Sequence, residues 1–274
     1  MPDSVTPNHS GVEVGQSPTN SNNMPLVRGA LGALLLLMLA PLATLAFAVP
    51  GPSLAAALAR PETADALRTS LIASFCAVTL ATVLGVPAGY AIARSGGRWR
   101  AVALFLLALP IALPPVASGI VLLGLLGRNA PLGAFLAGHD IAVVDSLLGV
   151  IIAEFFVSGS FVAIVAAAAF ADTDRTLEEA ARTLGASPLR VLLTIALPAA
   201  APGISAGVLL AWLRALGEYG ATSLLAYHPT SLPIELVVAL SADGIPRALA
   251  LAEAFVVLTA LAIAAATLLR RRLL

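Results

Sequence analysis

Six apolar segments, each about 20 residues or longer, dominate this sequence. A helix needs about 20 apolar residues to cross the hydrocarbon core of a bilayer. Hydrophobic residues make up 59% of the 274 positions and charged residues 11%, whereas soluble domains carry about 25% charged residues. We therefore expect an all-α membrane protein with six transmembrane helices, at about residues 29–49, 69–93, 101–126, 147–169, 202–225 and 249–269.

The amino-terminal end differs in composition from the rest of the chain. Residues 1–26 are rich in Ser, Asn, Pro and Thr and lack hydrophobic periodicity, which predicts a disordered tail. Residues 27–274 then form one transmembrane domain. Its first apolar run follows a single basic residue, Arg28, and exceeds the 7–15 residues typical of a signal peptide. We expect it to be a retained helix.

The arginines predict the orientation of the spans. Cytoplasmic loops of membrane proteins carry an excess of basic residues near the span ends. If the amino terminus is cytoplasmic, ten arginines fall on that side and four on the other, so we expect a multi-pass membrane protein with both termini in the cytoplasm. The cytoplasmic set is Arg28, Arg94, Arg98, Arg100, Arg175, Arg182, Arg190, Arg270, Arg271 and Arg272, and the opposite set is Arg60, Arg68, Arg128 and Arg247.

Several kinds of chemistry are excluded by the residues the chain lacks. All 15 basic residues are arginine, and a Walker A loop needs a lysine on the nucleotide phosphates. Any ATP must therefore be bound by another chain. Cys76 is the only cysteine, and the three histidines are far apart in the sequence, so we predict no metal site and no cofactor in this chain. No catalytic residues are predicted.

A charged segment at residues 171–198 separates the fourth and fifth spans. Acidic residues lie early in it, where a helix dipole favours them. Gly185 can adopt the left-handed conformation that ends a helix, and Pro188 suits the first position of another. The segment predicts a helix, a sharp turn and a second short helix lying at the membrane surface.

The same segment resembles the EAA loop of bacterial ABC importer permeases. The matching residues are Glu179, Ala180, Ala181, Gly185, Ile195, Leu197 and Pro198. The resemblance implies the type I ABC importer permease fold and a coupling element that docks on separate ATPase subunits, which bind ATP and Mg²⁺. It also implies an external solute-binding protein and a second permease subunit, either identical or different. The chain is then a transport subunit and not an enzyme.

Charged residues within the spans are the candidates for a solute pathway, because a charge at the centre of a span costs at least about 2.5 kcal/mol. Arg214 and Glu218 are four residues apart and can pair on one helix face, either as a structural pair or as part of an anion pathway. Residues 214–222 resemble the fifth-helix signature of molybdate, tungstate and sulfate permeases, Arg-x-Leu-Gly-Glu-Phe-Gly-Ala, with Tyr219 in place of phenylalanine. Residues 109–119 resemble the same subgroup.

The third span adds prolines, whose missing hydrogen bonds must be satisfied by protein or water, so we expect it to face the helix bundle or a cavity. The pathway or gate candidates are Arg214, Glu218, Tyr219, Thr222, Pro114, Pro115, Ser118 and Glu154. The resemblance implies a tetrahedral oxyanion as cargo. Import of another small solute is an alternative, as is an ion-coupled carrier that works without an ATPase and uses Glu154, Glu218 or Glu253.

Overall fold

The computed structural model of the chain describes residues 24–49 and 51–273, and all regular elements in those residues are helices. The predicted tail lies outside the described residues except for its last three positions, because the first helix begins at Met24. The helices are α1 (Met24–Ala48), α2 (Gly51–Leu58), α3 (Pro61–Arg94), α4 (Gly97–Ala112), α5 (Pro115–Leu126), α6 (Pro131–Ala137), α7 (Leu147–Ala171), α8 (Arg175–Thr183), α9 (Pro188–Val191), α10 (Leu197–Leu216), α11 (Gly220–Leu225), α12 (Leu232–Ala242) and α13 (Ile245–Leu273). A π-helical segment, Leu192–Ala196, joins α9 to α10.

Five helical stretches are long and apolar enough to cross a membrane, and α4 with α5 gives a sixth candidate. One of the five is α1, which belongs to a unit of its own that ends at Phe47. The second unit runs from Ala48 onward and contains all the other helices. The helical membrane fold expected from the sequence is confirmed.

The core of the second unit is the packing of α3 against α7, with α10 packed against both. Gly89 allows α3 and α7 to approach closely, because a Cβ atom at this position would lie 2.6 Å from the Ala166 Cβ and 2.7 Å from the Ala167 amide nitrogen. Small and branched side chains from the three helices fill the space between them. The buried residues of this core are Ala81, Val86, Ala93, Val162, Ala166, Phe170, Ala196, Ala200, Ile204 and Ala211.

The third predicted span is broken, which corrects the single helix expected over residues 101–126. Its two parts, α4 and α5, meet at an angle of 104°. Leu113 is extended at the break, with φ −69° and ψ 134°. A proline disfavours the helical conformation of the residue before it, and Pro114 and Pro115 follow Leu113 directly, so the chain turns there.

The fifth predicted span also has different limits from the expected 202–225. The apolar helical stretch runs from Pro188 to Leu216, and α11 begins separately at Gly220. Beyond Leu216 the Glu218 carboxylate accepts a hydrogen bond from the Ala221 amide at 2.8 Å. A side chain that takes a backbone donor in this way competes with the helical hydrogen-bond ladder, which explains the interruption before α11.

Candidate functional site

The segment between α7 and α10 is folded by local capping. Asp174 accepts a hydrogen bond from the Thr176 amide at 2.9 Å and caps α8, and this bond lowers the pKa of the Asp174 carboxyl. Gly185 has φ +84° and lies in the turn after α8. Ser187 accepts a bond from the Arg190 amide at 3.4 Å, with Pro188 at the first position of α9. The predicted helix, turn and helix are all present.

The second helix of this motif is continuous with the membrane helix, which differs from the separate short helix that the sequence suggested. After the four residues of α9, the backbone passes through the π-helical segment into α10. Each of these elements begins where the preceding one ends, so no loop intervenes. Any movement at α9 therefore acts directly on the end of a transmembrane helix.

The residues of the EAA-like pattern are either exposed or half-buried, and none is fully buried. Glu179, Ala180 and Gly185 are exposed. Ile195 and Leu197 are half-buried where the π-helical segment meets α10, and Leu197 packs against the core of α3, α7 and α10. Ala181 is half-buried and Pro198 is exposed.

The exposed face of α8 is apolar as well as charged. Leu177 is 59% exposed, and Leu184, directly after the helix, is 88% exposed. Exposed apolar side chains rimmed by charges are typical of protein interaction sites. Together with Glu179, these two leucines form a surface suited to a protein partner.

The opposite face of α8 carries a residue that the sequence analysis did not single out. Glu178 is 1% exposed. Its carboxylate accepts hydrogen bonds from the Tyr90 hydroxyl at 2.9 Å, from the Arg94 guanidinium, with Nε at 3.1 Å from Oε1, and from Arg182 Nη2 at 3.1 Å. Arg94 also bonds to Glu178 Oε1 through Nη2. A tyrosine and an arginine four residues apart at the end of a span were the available signal.

Burial raises the pKa of the Glu178 carboxyl, but its partners outweigh that effect. The hydrogen bonds from Arg94 and Tyr90 and the charges of Arg94 and Arg182 all favour the ionised form, so the pKa lies below its ordinary value. Glu178 is therefore a carboxylate at neutral pH.

A second polar site lies at the bend between α4 and α5. A cavity of about 340 Å³ opens there. Its lining includes Pro110, Pro115, Ser118, Phe161, Leu210 and Arg214. The Arg214 side chain is 41% exposed, and its Nη1 donates to Glu218 Oε2 at 2.6 Å. The guanidinium thus has one anionic partner and retains N–H groups that can reach the cavity.

The structure brings together only some of the predicted pathway residues. Arg214, Pro115 and Ser118 share the cavity, and Glu218 supports Arg214 from a buried position. Glu154 and Thr222 are buried inside the bundle, with the Thr222 hydroxyl donating to the Glu218 and Tyr219 carbonyls. The remaining two candidates do not line the cavity either. Pro114 occupies the N-cap position of α5, and Tyr219 is exposed.

The family model that matches this chain is described as "Binding-protein-dependent transport system inner membrane component", and it covers residues 81–274. The chain belongs to this permease family. The match includes the whole α8 to α10 segment and the residues around the cavity. The EAA-like pattern and the broken helices α4 and α5 both lie within the matched residues.

Individual relatives of this permease are also transport subunits. It is 39% identical over 217 residues to a Haloferax volcanii protein named "Probable molybdenum ABC transporter permease protein", with 79% of each chain covered. It is 35% identical over 174 residues to the molybdate/tungstate transport system permease protein WtpB of Pyrococcus abyssi, covering 64% of this chain and 65% of that one.

Solved structures show the same fold at much lower identity. A chain of the bacterial alginate ABC transporter, crystallised in complex with alginate pentasaccharide-bound periplasmic protein, superimposes with a TM-score of 0.71 and 16% identity. The match covers 92% of this permease and 96% of that chain. This structural similarity covers nearly the whole chain, but at 16% sequence identity it shows the fold alone and does not indicate the cargo.

Proposed function

We propose that this permease imports a tetrahedral oxyanion, namely molybdate, tungstate or sulfate, delivered by an external binding protein. Two copies of a separate ATPase drive the cycle, and a second permease subunit, identical or related, completes the pathway. The amino and carboxyl termini lie in the cytoplasm, together with α8. The proposal rests on Arg214. Its guanidinium donates to Glu218 through Nη1 and keeps further N–H groups for the cavity at the α4–α5 bend.

The chemistry of this cavity suits an anion that must pass and not remain. Arg214 supplies positive charge and fixed donors that match oxyanion geometry, and Ser118 supplies a hydroxyl. Glu218 offsets part of that charge, so the cavity attracts an anion without holding it as strongly as an unpaired arginine. A conducting site must bind weakly enough to release its ion. The relatives that carry molybdenum, molybdate or tungstate in their names support this cargo class.

Uptake measurements test the cargo. Cells that lack the chain are complemented with the wild type, Arg214→Gln or Arg214→Lys, and uptake of labelled molybdate, tungstate and sulfate is compared. We expect wild-type uptake of at least one of these anions, a large loss with Arg214→Gln and partial recovery with Arg214→Lys. Arg98→Gln, at an exposed arginine in the first turn of α4, is the matched control. Equal uptake with and without the chain would contradict the proposed cargo.

Copurification tests the proposed ATPase partner. We expect an ATPase to purify with the wild-type permease and to be lost with Glu179→Arg or Leu184→Glu, because both changes alter the exposed face of α8. Glu62→Arg is the control, since Glu62 is an exposed carboxylate in the first turn of α3, at the other end of that helix. Anion uptake that continues without an ATPase would instead support an ion-coupled carrier.

A further inference from the structure

The buried face of α8 is fixed to the end of α3 by one arginine. Arg94 is the last residue of α3, and its side chain is 13% exposed. Besides Glu178, its guanidinium binds the end of α7, where Nη1 lies 2.9 Å from the Phe170 carbonyl oxygen and Nη2 lies 2.8 Å from the Thr173 hydroxyl. One guanidinium therefore joins α3, α7 and α8.

A second arginine, which belongs to α8 itself, also joins α8 to the end of α3. Arg175, the first residue of α8, donates through Nη2 to the Ala93 carbonyl at 2.6 Å. The last carbonyls of a helix lack partners within that helix, and a cation is favourable at that end of its dipole. The ends of α3 and α7 thus each receive an arginine, and α8 is held to both.

The connection from α8 to α10 is built differently. Across residues 175–216, all of which the structure describes, no side-chain hydrogen bond or ion pair joins α8 to α9, the π-helical segment or α10. A cavity of about 350 Å³ lies between them, and its lining includes Leu177, Ile195 and Gly203. The covalent link passes through Gly185 and then through the π-helical segment, a type of helix that is rare and often found at functional positions.

We propose that Arg94 and Glu178 are positioning residues that clamp α8 to α3 and α7, so that a push on α8 moves this pair of helices as one body. The link from α8 to α10 carries no such clamp, because it passes through Gly185 and the π-helical segment beside the cavity. The proposal rests on the proposed function, in which an ATPase presses on α8. Glu178 holds its partner Arg94 in place and touches neither ATP nor solute.

The clamp predicts a defect in coupling that is separate from docking. Glu178→Gln keeps the size and one acceptor oxygen of the side chain but removes the charge that holds Arg94 and Arg182. With the clamp loosened, α8 can move with its ATPase while α3 stays behind. ATP is then hydrolysed without a matching movement of the membrane helices.

The experiment uses the complete transporter with its ATPase and binding protein in proteoliposomes. Labelled molybdate uptake and phosphate release are measured together, so that uptake per ATP hydrolysed is obtained. For Glu178→Gln we expect the ATPase to copurify at the wild-type ratio while uptake per ATP falls by about fivefold or more, the size of a typical allosteric coupling. Glu62→Gln is the control and should match the wild type.

A second variant keeps the test decisive if Glu178→Gln does not fold. Tyr90→Phe removes the hydroxyl that donates to Glu178 and accepts from Arg182. It introduces no unpaired charge, so we expect a smaller fall in uptake per ATP and a smaller loss of stability than for Glu178→Gln. Wild-type coupling in both variants would overturn the clamp, as would loss of the ATPase from Glu178→Gln, which would assign that residue to docking. Failure of the wild-type chain to bind any ATPase would instead overturn the proposed function.

Discussion

Two buried glutamates in this permease have arginines four residues away, and they are held in opposite ways. Glu178 pairs with Arg182 on its own helix, but its stronger connections are with Tyr90 and Arg94 on α3. Within the part of the chain that the structure describes, the Glu218 carboxylate bonds to near neighbours, with Arg214 at one oxygen and the Ala221 amide at the other. The first carboxylate joins separate helices, whereas the second fixes the orientation of one arginine at a cavity.

The two pairs differ in how many N–H groups of the arginine are engaged. Arg94 uses its N–H groups on three partners and is largely withdrawn from solvent. Among the described residues Arg214 bonds to one partner, Glu218, and its side chain remains 41% exposed. A guanidinium with most of its donors engaged holds helices together, and one with more donors free can still bond to an anion.

Removal of each glutamate is the strongest test of this comparison. Glu178→Ala leaves the buried Arg94 without its counter-charge, and we expect a loss of about 3–5 kcal/mol in the free energy of unfolding. Glu218→Ala leaves an arginine whose side chain is 41% exposed at the cavity, and we expect a loss of about 1–3 kcal/mol for the unpaired Ala221 amide. Unfolding of the purified transporter in detergent measures both. The exposed Glu62→Ala should change stability by less than about 0.5 kcal/mol, and equal losses from Glu178 and Glu218 would contradict the comparison.

The contacts of Arg94 with Glu178 and with the end of α7 also depend on how closely α3 approaches α7. Gly89→Ala places a methyl group 2.6 Å from the Ala166 Cβ, and we expect it to cost about 1–3 kcal/mol through overpacking. Gly124→Ala in α5 is the matched control, because nothing lies within 4 Å of its new methyl group. It should be neutral or stabilising by up to about 1 kcal/mol. Thermal unfolding midpoints of the two variants distinguish these outcomes.

The turn after α8 has a smaller expected effect. Gly185 has φ +84° and open space around it, so Gly185→Ala introduces backbone strain of about 1–2 kcal/mol without a steric clash. Gly185→Asn should recover part of the loss, because asparagine tolerates this conformation better. Unfolding midpoints again provide the measurement, and an asparagine variant less stable than the alanine variant would be inconsistent with a purely conformational cause.

Acid pH gives the smallest effect. The folded pKa of Glu178 lies below its ordinary value of 4.5, so its stabilising contribution is complete above that value and is lost as the pH falls through the folded pKa. We expect the wild type to lose more stability than Glu178→Gln as the pH is lowered below 4.5, and both to respond alike between pH 6 and pH 8. Parallel curves across the whole acid range would show that Glu178 keeps an ordinary pKa.

Much of the fold could be predicted from hydropathy, but the broken helices could not be placed correctly. The prolines at 114 and 115 were visible as a disturbance of the third span, yet their local rule does not say by how much the chain turns. The break after Leu216 depends on where Glu218 finds its partners. The helix, turn and helix around Gly185 followed from residue types within a few positions of one another.

The two arginine–glutamate pairs also differ in how far they could be predicted from the sequence. The Arg214–Glu218 pair is four residues apart on the chain, and its spacing predicted the contact before the structure showed it. Arg94 and Glu178 are 84 positions apart, and the sequence offered only a reason to place Arg94 near a cytoplasmic span end. Helical periodicity connects near neighbours and says nothing about which distant helix lies alongside.

By itself, the sequence determined that this chain is a membrane protein, that it cannot bind ATP through a Walker A loop, and that residues 171–198 have the pattern of an ABC permease coupling segment. These conclusions depend on residue types and short spacings. Only the tertiary structure decided that α8 is joined to α3 and α7, and that a cavity separates it from α10. Packing of helices distant in the chain sets those contacts, because a buried charge must find its partner wherever the fold places one.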